Sequence, residues 1–198
     1  MKKFELTTES ITNEAGKKLF RIKALIDFGD VKAGEPGGYV EKEGNVSQDD
    51  NAWVSGDAEV FGNAKVFGNA RVSDNARVSD NALVFGRALV FGDAKVSGRA
   101  LVSGDALISG NARVSGDAWV SDNADYALVQ GFGIKFRCTT FYRVKNKKIM
   151  VNCGCFHGDL EGFRKQVKET RSGKIEKEYL MIADLMEYHF ASEDSSDE

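Results

Sequence analysis

The sequence predicts a mainly β protein: a coiled stack of short parallel strands, an N-terminal β cap, and a small C-terminal α+β domain. Three observations predict it. Ala recurs at every sixth place from Ala52 to Ala118, and Val recurs two places later from Val54 to Val120, with Ile108 the only exchange. The unit, Ala-x-Val-(Ser/Phe)-(Gly/Asp)-(Asp/Asn/Arg), runs twelve times to Asn123 without a slip. Past that point the period stops and strand-like, then helix-like, patterns take over.

Each unit reads as one strand and one corner. Ala and Val are two apart, so an extended chain points both to one side. The Gly or Asp that follows suits the positive φ of a tight corner. A strand this short cannot bury its apolar side alone, and stacking each turn of chain on the previous one solves that. The interior is then Ala and Val with one Ile, too narrow for a buried ligand.

The flanks follow in order. Residues 1–38 read as a hairpin cap: Phe4 and Leu6, then Leu19 to Ile26, flank the turn-like Asn13-Glu14-Ala15-Gly16. An open coil end exposes unpaired backbone and needs such a cover. Pro36-Gly37-Gly38 marks entry into coils spanning 39–125. Val40 and Val46 continue the period weakly, and the eight-residue step from Val46 to Val54 puts two extra residues near Asp49-Asp50. Residues 126–191 read as three strands (126–130, 134–144, 149–156) and two helices. Asp159 is the expected N-cap of the first helix, with Leu160, Phe163 and Val167 on one side. The second, from about Ile175 to Phe190, carries Tyr179, Ile182, Met186 and Phe190 on one side. Residues 192–198 are an acidic tail expected to be disordered.

The repeat resembles that of the hexapeptide family of left-handed parallel β-helices, in which three units make one triangular coil. On that resemblance, residues eighteen apart stack in columns. The outward place before Val gives Trp53, Arg71, Leu89, Leu107 on a first face. A second face carries Glu59, Arg77, Lys95, Arg113, and a third Lys65, Leu83, Leu101, Trp119. The place after Val adds Phe91 to the first, Phe61 to the second, and Phe67 and Phe85 to the third. Two faces therefore hold apolar patches: Phe67, Leu83, Phe85, Leu101 and Trp119, and Leu89, Phe91 and Leu107. Contiguous outward apolar residues mark an interface. Two occupants are open: the chain's own terminal segments, or a second copy in a homo-oligomer, dimer or trimer, with the trimer favoured by the resemblance.

Net charge is −3, and the repeat holds seven Lys/Arg against eight Asp/Glu, so no general attraction to nucleic acid is expected. No apolar run is long enough for a membrane span. The start, Met1-Lys2-Lys3-Phe4-Glu5, lacks the apolar stretch of a secretion signal. Three cysteines, an odd number, fit a reducing cytoplasm.

The family resemblance implies chemistries to weigh. Acyl transfer relies on a histidine base on or beside the coils. The repeat holds no His, and only His157 and His189 exist. A zinc carbonic anhydrase of this family needs three histidines, and ice binding needs Thr columns that the repeat lacks. Cys153-Gly-Cys155-Phe-His157, with Cys138 on a partner strand, offers four candidate zinc ligands if the segment is one continuous strand. The competing reading is buried structural thiols on a face shared with Ile149 and Val151, opposite Phe136 and Tyr142. Lys145, Lys147, Lys148, Arg164, Lys165, Lys168 and Arg171 form a basic set that could contact phosphates, against the plainer reading of solvated faces. No cofactor and no catalytic residue are expected.

Nearly the whole chain resembles uncharacterised phage and prophage hexapeptide-repeat proteins. The carrying residues are Phe20-Arg21-Ile22-Lys23-Ala24-Leu25-Ile26-Asp27-Phe28, Gly37-Gly38-Tyr39-Val40-Glu41, Thr139-Thr140-Phe141-Tyr142-Arg143 and Cys153-Gly154-Cys155-Phe156. The resemblance offers no mechanism but implies a viral or mobile-element origin, while the missing His in the repeat and its apolar faces favour a non-enzymatic, oligomeric binding protein of a host cytoplasm. Its role would be host-defence inhibition, anti-CRISPR-like or other counter-defence, by binding a host protein or a nucleotide signal. The alternatives are an acyltransferase using His157 or His189, and a scaffold or virion component.

Overall fold

The computed structural model describes residues 1–133 and 137–191. It divides into two compact units, residues 1–122 and 123–198.

The first unit is a parallel β-solenoid of about five turns. Its strands are β1 (Phe4–Thr12), β2 (Lys18–Ala24) and β3 (Pro36–Val40), then β4 (Trp53–Val54), β5 (Glu59–Val60), β6 (Lys65–Val66) and nine more, each of two residues and six apart, to β15 (Trp119–Val120). Pairing is parallel at a spacing of eighteen: Val54 with Val72, Val60 with Val78, Val66 with Val84. Three strands therefore make each turn. Every repeat Ala and Val is buried. The first turn has a spacing of twenty, two more than the rest, with Val40 opposite Val60 and Val46 opposite Val66, which places the two extra residues between Val46 and Val54.

Corners explain the fifth place of the unit. Gly98 has φ 69°, and a Cβ there would lie 2.7 Å from the backbone N of Gly116 on the next turn. Asp74 and Asp80 occupy the same left-handed conformation, both at φ 60°. Each compensates by accepting the otherwise unused N–H of the glycine eighteen residues on, Gly92 or Gly98, at 2.9 Å. Asp50 does the same for Gly68 and Glu41 for Gly62.

β1 and β2 form the expected hairpin, turning at Asn13–Lys17. The cap and coils share a strand: β3 pairs antiparallel with β2 and, at Tyr39 and Val40, parallel with β5. Gly37 and Gly38 lie so close to Trp53, Val54 and Ala58 that a Cβ at either would fall within 2.7 Å of them. The open end itself is closed by buried polar side chains. Lys3, 2% exposed, donates to the carbonyls of Asp50 and Ala52 at 2.8 Å. Asn45 donates to those of Gly62 and Ala64, and Gln48 exchanges hydrogen bonds with the backbone of Phe4. Burial pushes the Lys3 ammonium pKa down, opposed by Asp50. Trp53, expected to face outward, is 1% exposed because Phe4 and Phe28 cover it edge-on.

The second unit is an antiparallel sheet, β16 (Tyr126–Phe132), β17 (Arg137–Arg143), β18 (Ile149–Cys153) and β19 (Phe156–Asp159), with α1 (Leu160–Thr170) and α2 (Gly173–His189). Four strands replace the expected three. A turn at Gly154 (φ 64°) and Cys155 breaks the segment 149–156 into a hairpin in which Cys153 pairs with Phe156. Register also differs: Phe141, not Tyr142, lies opposite Val151. Asp159 caps α1 by accepting from Gly162 N at 2.9 Å. Phe141 and Val151 meet Leu160, Phe163 and Val167 of α1 and Tyr179, Ile182 and Met186 of α2 in one core. Arg143 donates to the carbonyl of Phe190 at 2.6 Å, closing the end of α2. Ile134, Lys135, Phe136 and the acidic tail lie outside the described residues.

Two outcomes are expected. Val84→Asp places an unpaired charge at a fully buried site and destabilises the solenoid by about 4 kcal/mol or more, read as loss of cooperative melting by circular dichroism. The second concerns acid. The Gly62 N–H, then Lys17, holds the Glu41 carboxyl below its ordinary 4.5. A carboxylate with a depressed folded value contributes stability that is full above its unfolded value and lost as pH falls through the folded one. Melting temperature therefore drops as pH falls below 4.5. Glu41→Gln lowers the neutral-pH value and shrinks that drop, so an unchanged acid profile in the variant would refute the role.

Candidate interaction surfaces

Three outward columns come from the eighteen-residue spacing. On the third face Lys65 lies beside Leu83, Leu83 beside Leu101, and Leu101 beside Trp119, all in parallel register. One place on, Phe67 and Phe85 stack with ring centroids 4.8 Å apart and planes 2° from parallel. The ladder bonds that hold them, Phe67 N to Val84 O and Phe85 N to Val102 O, are 3.1 and 2.9 Å. Leu83 and Leu101 are half-buried and Trp119 is 39% exposed. Leu83, Leu101 and Trp119 thus form one outward column, and Phe67 and Phe85 form a second one place on.

The other faces differ. On the first, Leu89 lies between Arg71 and Leu107. Leu89 and Leu107 are exposed and Phe91 is half-buried. Arg71 is tied to Asp30 of the cap, which divides this patch from Trp53. The second face is polar. Glu59 and Arg77 are adjacent, Asn13 of the hairpin turn donates to Glu59 at 3.1 Å, and Glu14 pairs with Arg77. Lys95 and Arg113 continue the column.

At the start of the third face the irregular corner 43–49 overhangs the coils. A short 3-10 turn, Glu43–Asn45, and the following residues to Asp49 enclose an open concavity of about 710 Å³ against Lys65, Phe67 and Leu83. Phe67 and Leu83 of the apolar row line it together with Glu43 and Asp49.

In the second unit the candidate zinc ligands are separated. Cys155 sits in the exposed turn, Cys153 accepts from the Thr139 hydroxyl at 3.2 Å, and His157 Nε2 lies 3.2 Å from the Tyr142 hydroxyl. Asn152 also donates to that hydroxyl. Cys138 lies on β17. Among the described residues no three His, Cys, Asp or Glu side chains are grouped to hold a metal ion. His189 packs against Phe190.

The basic set is also dispersed. Lys145, Lys147 and Lys148 sit at the β17–β18 turn, where Lys147 has φ 62°. Arg164 is engaged by Asp184 at 2.7 Å and Glu187 at 2.6 Å, which pin α1 to α2 and raise its pKa. Lys165 lies 4.0 Å from Glu169, Lys168 is exposed, and Arg171 Nη1 donates to the Thr170 carbonyl. One feature of this unit escaped the sequence reading: Met181, Leu185 and Tyr188 are exposed on the outer side of α2. Their spacing of four and three was the available signal.

A family model described as YdcK Beta solenoid repeat matches residues 64–79, 70–85 and 106–122. The chain carries β-solenoid repeats. All three matched segments fall within the regular turns, and the described helices are too short and polar to cross a membrane. No curated protein matches the chain.

The dispersed Cys and His lead to one expectation. Purified protein should hold under ~0.1 equivalents of zinc by elemental analysis, because a structural site needs about four converging ligands. Stoichiometric zinc that vanishes in Cys153→Ser would overturn it.

Proposed function

We propose that this is a non-enzymatic binding protein whose solenoid is a rigid stem that self-associates through its third face, while the C-terminal unit presents a recognition surface. One observation carries the reading: Leu83, Leu101, Phe67 and Phe85 form an in-register apolar row on the outside of a fold whose interior is already complete. A parallel stack supplies its own backbone partners along its length. Outward side chains are therefore unconstrained by the ladder, and an unbroken apolar row suits a second apolar surface. A dimer and a trimer are both closed arrangements for such a face, and the family resemblance favours the trimer.

The partner class on this reading is a host protein or a nucleotide signal, as the phage resemblance implies. The exposed lysines at the β17–β18 turn, Lys145, Lys147 and Lys148, are the groups best placed to meet an anionic partner.

Replacing Leu83 and Leu101 together by Arg is the direct test. Light scattering should report a native mass falling to that of one chain, with the solenoid's circular dichroism unchanged because both side chains point outward. A mass identical to the unsubstituted protein sinks the stem contact.

A further inference from the structure

The outward column that holds Phe67 and Phe85 stops at a gap. Val46 lies opposite Val66, so the place before Phe67 in that column belongs to Ser47. Phe67 and Phe85 stack with centroids 4.8 Å apart, close to the ~4.8 Å spacing of paired strands, so their faces point along the stack and their edges outward. Ser47 puts one hydroxyl where a third ring would lie. That hydroxyl is turned to its own loop, where it accepts the Asp49 N–H at 3.2 Å. Among the described residues no ring stacks on the face of Phe67 away from Phe85.

The concavity of about 710 Å³ lies at this gap, under the overhang of the twenty-residue turn. Pockets for drug-sized ligands run from about 300 to 1,000 Å³. Gly44 helps to keep it open. It lines the concavity without a positive φ, and a Cβ there would meet nothing within 4 Å. Neither backbone nor packing requires glycine at 44, in contrast to Gly37 and Gly98.

The lining also carries two uncommitted charges. Lys65 is exposed on β6, two places before Phe67, and Asp49 is exposed on the overhang. Among the described residues neither makes an ion pair, and Asp49 acts on the buried Lys3 ammonium only through its field. Glu43, the other carboxylate of the lining, is taken by Lys2. Lys65 and Asp49 are not paired with each other, so they call for two opposite charges that are also apart. A free amino acid holds both charges on one carbon, whereas a peptide carries them on separate side chains.

We infer that this concavity binds a peptide segment of a partner protein that places an aromatic side chain on Phe67, between an acidic residue for Lys65 and a basic residue for Asp49. The incoming ring extends the Phe67–Phe85 stack, the arrangement aromatic pairs favour when offset. Leu83 and the aliphatic stem of Lys65 supply further apolar lining. The site goes beyond the stem contact and does not rest on it. A second copy meets the outer edges of the row, and the peptide meets a ring face at its start.

Calorimetric titration of the full chain with acetyl-Glu-Phe-Lys-amide and acetyl-Lys-Phe-Glu-amide tests this. One order should bind with a Kd of ~1 mM or below. The other should bind about fivefold more weakly, the scale of exposed charge pairs. Exchanging the peptide's Phe for Ala should abolish binding. Gly44→Trp should do the same with melting unchanged, because its side chain enters open space. Asp49→Lys combined with Lys65→Glu should invert the preferred order. No binding of either peptide at ~1 mM, binding that survives Gly44→Trp, or an order preference that the charge exchange leaves in place overturns the proposal. Free L-phenylalanine binding as tightly as the better peptide overturns the peptide assignment. Native mass is read separately, so failure of the stem contact leaves this result standing.

Discussion

The structure depends on one constraint: each two-residue strand can satisfy its N–H groups only on the turn eighteen residues ahead and its carbonyls only on the turn behind. Trp53 N reaches Ala70 O, Ser55 N reaches Val72 O, and Asp57 N reaches Asp74 O, at 2.8 to 3.1 Å. Sequence spacing, inward packing and corner chemistry must all serve that one register. An inserted residue would turn Ala and Val outward as well as break the ladder. Two residues are inserted between Val46 and Val54, before the first perfect unit, where Asp50 accepts the N–H of Gly68. The twelve regular units have no insertions.

The same constraint makes the ends expensive. A turn with nothing above it leaves carbonyls such as those of Asp50, Ala52, Gly62 and Ala64 without a strand to receive them from. The cap answers with side chains in place of backbone. Lys3 takes two of these carbonyls and Asn45 the other two. A buried ammonium is costly, and its lowered pKa records that cost. Two carbonyl bonds, the nearby Asp50 carboxylate and the face of Phe28 at 4.8 Å offset it.

This explains what could be read from the sequence and what could not. The turns, their columns and the contrast between faces were legible because each position's environment repeats every eighteen residues. Lys3, Asn45 and Gln48 were not, because each acts once, on a partner at least seventeen residues away that no period announces. Trp53 failed for the same reason: its column is right, but Phe4 and Phe28 cover it. In the second unit the helices were legible from their buried stripes, and the last hairpin was not. The run Ile149–Phe156 alternates well enough for one strand, and only the positive φ at Gly154 reveals the turn. That turn also undid the zinc grouping, which required Cys153, Cys155 and His157 on one strand. The α2 outer stripe was readable in principle, but the stronger inward stripe masked it.

The outward columns bear on function because folding does not choose them. The second face satisfies the ladder with Glu59, Arg77, Lys95 and Arg113, and exposed corners do so with ion pairs such as Arg87–Asp105 and Arg99–Asp117. Exposed pairs of this kind contribute little stability, yet they keep a surface solvated. The third face has the same backbone, the same corners and the same interior, so a polar column there would fold equally well. Leu83, Leu101, Phe67 and Phe85 are therefore not dictated by the backbone ladder or the interior. The contrast between α1 and α2 has the same form: two neighbouring helices share one core, and only one carries an apolar stripe on its solvent side. In both units the departure from what the fold of a lone chain requires is confined to a surface.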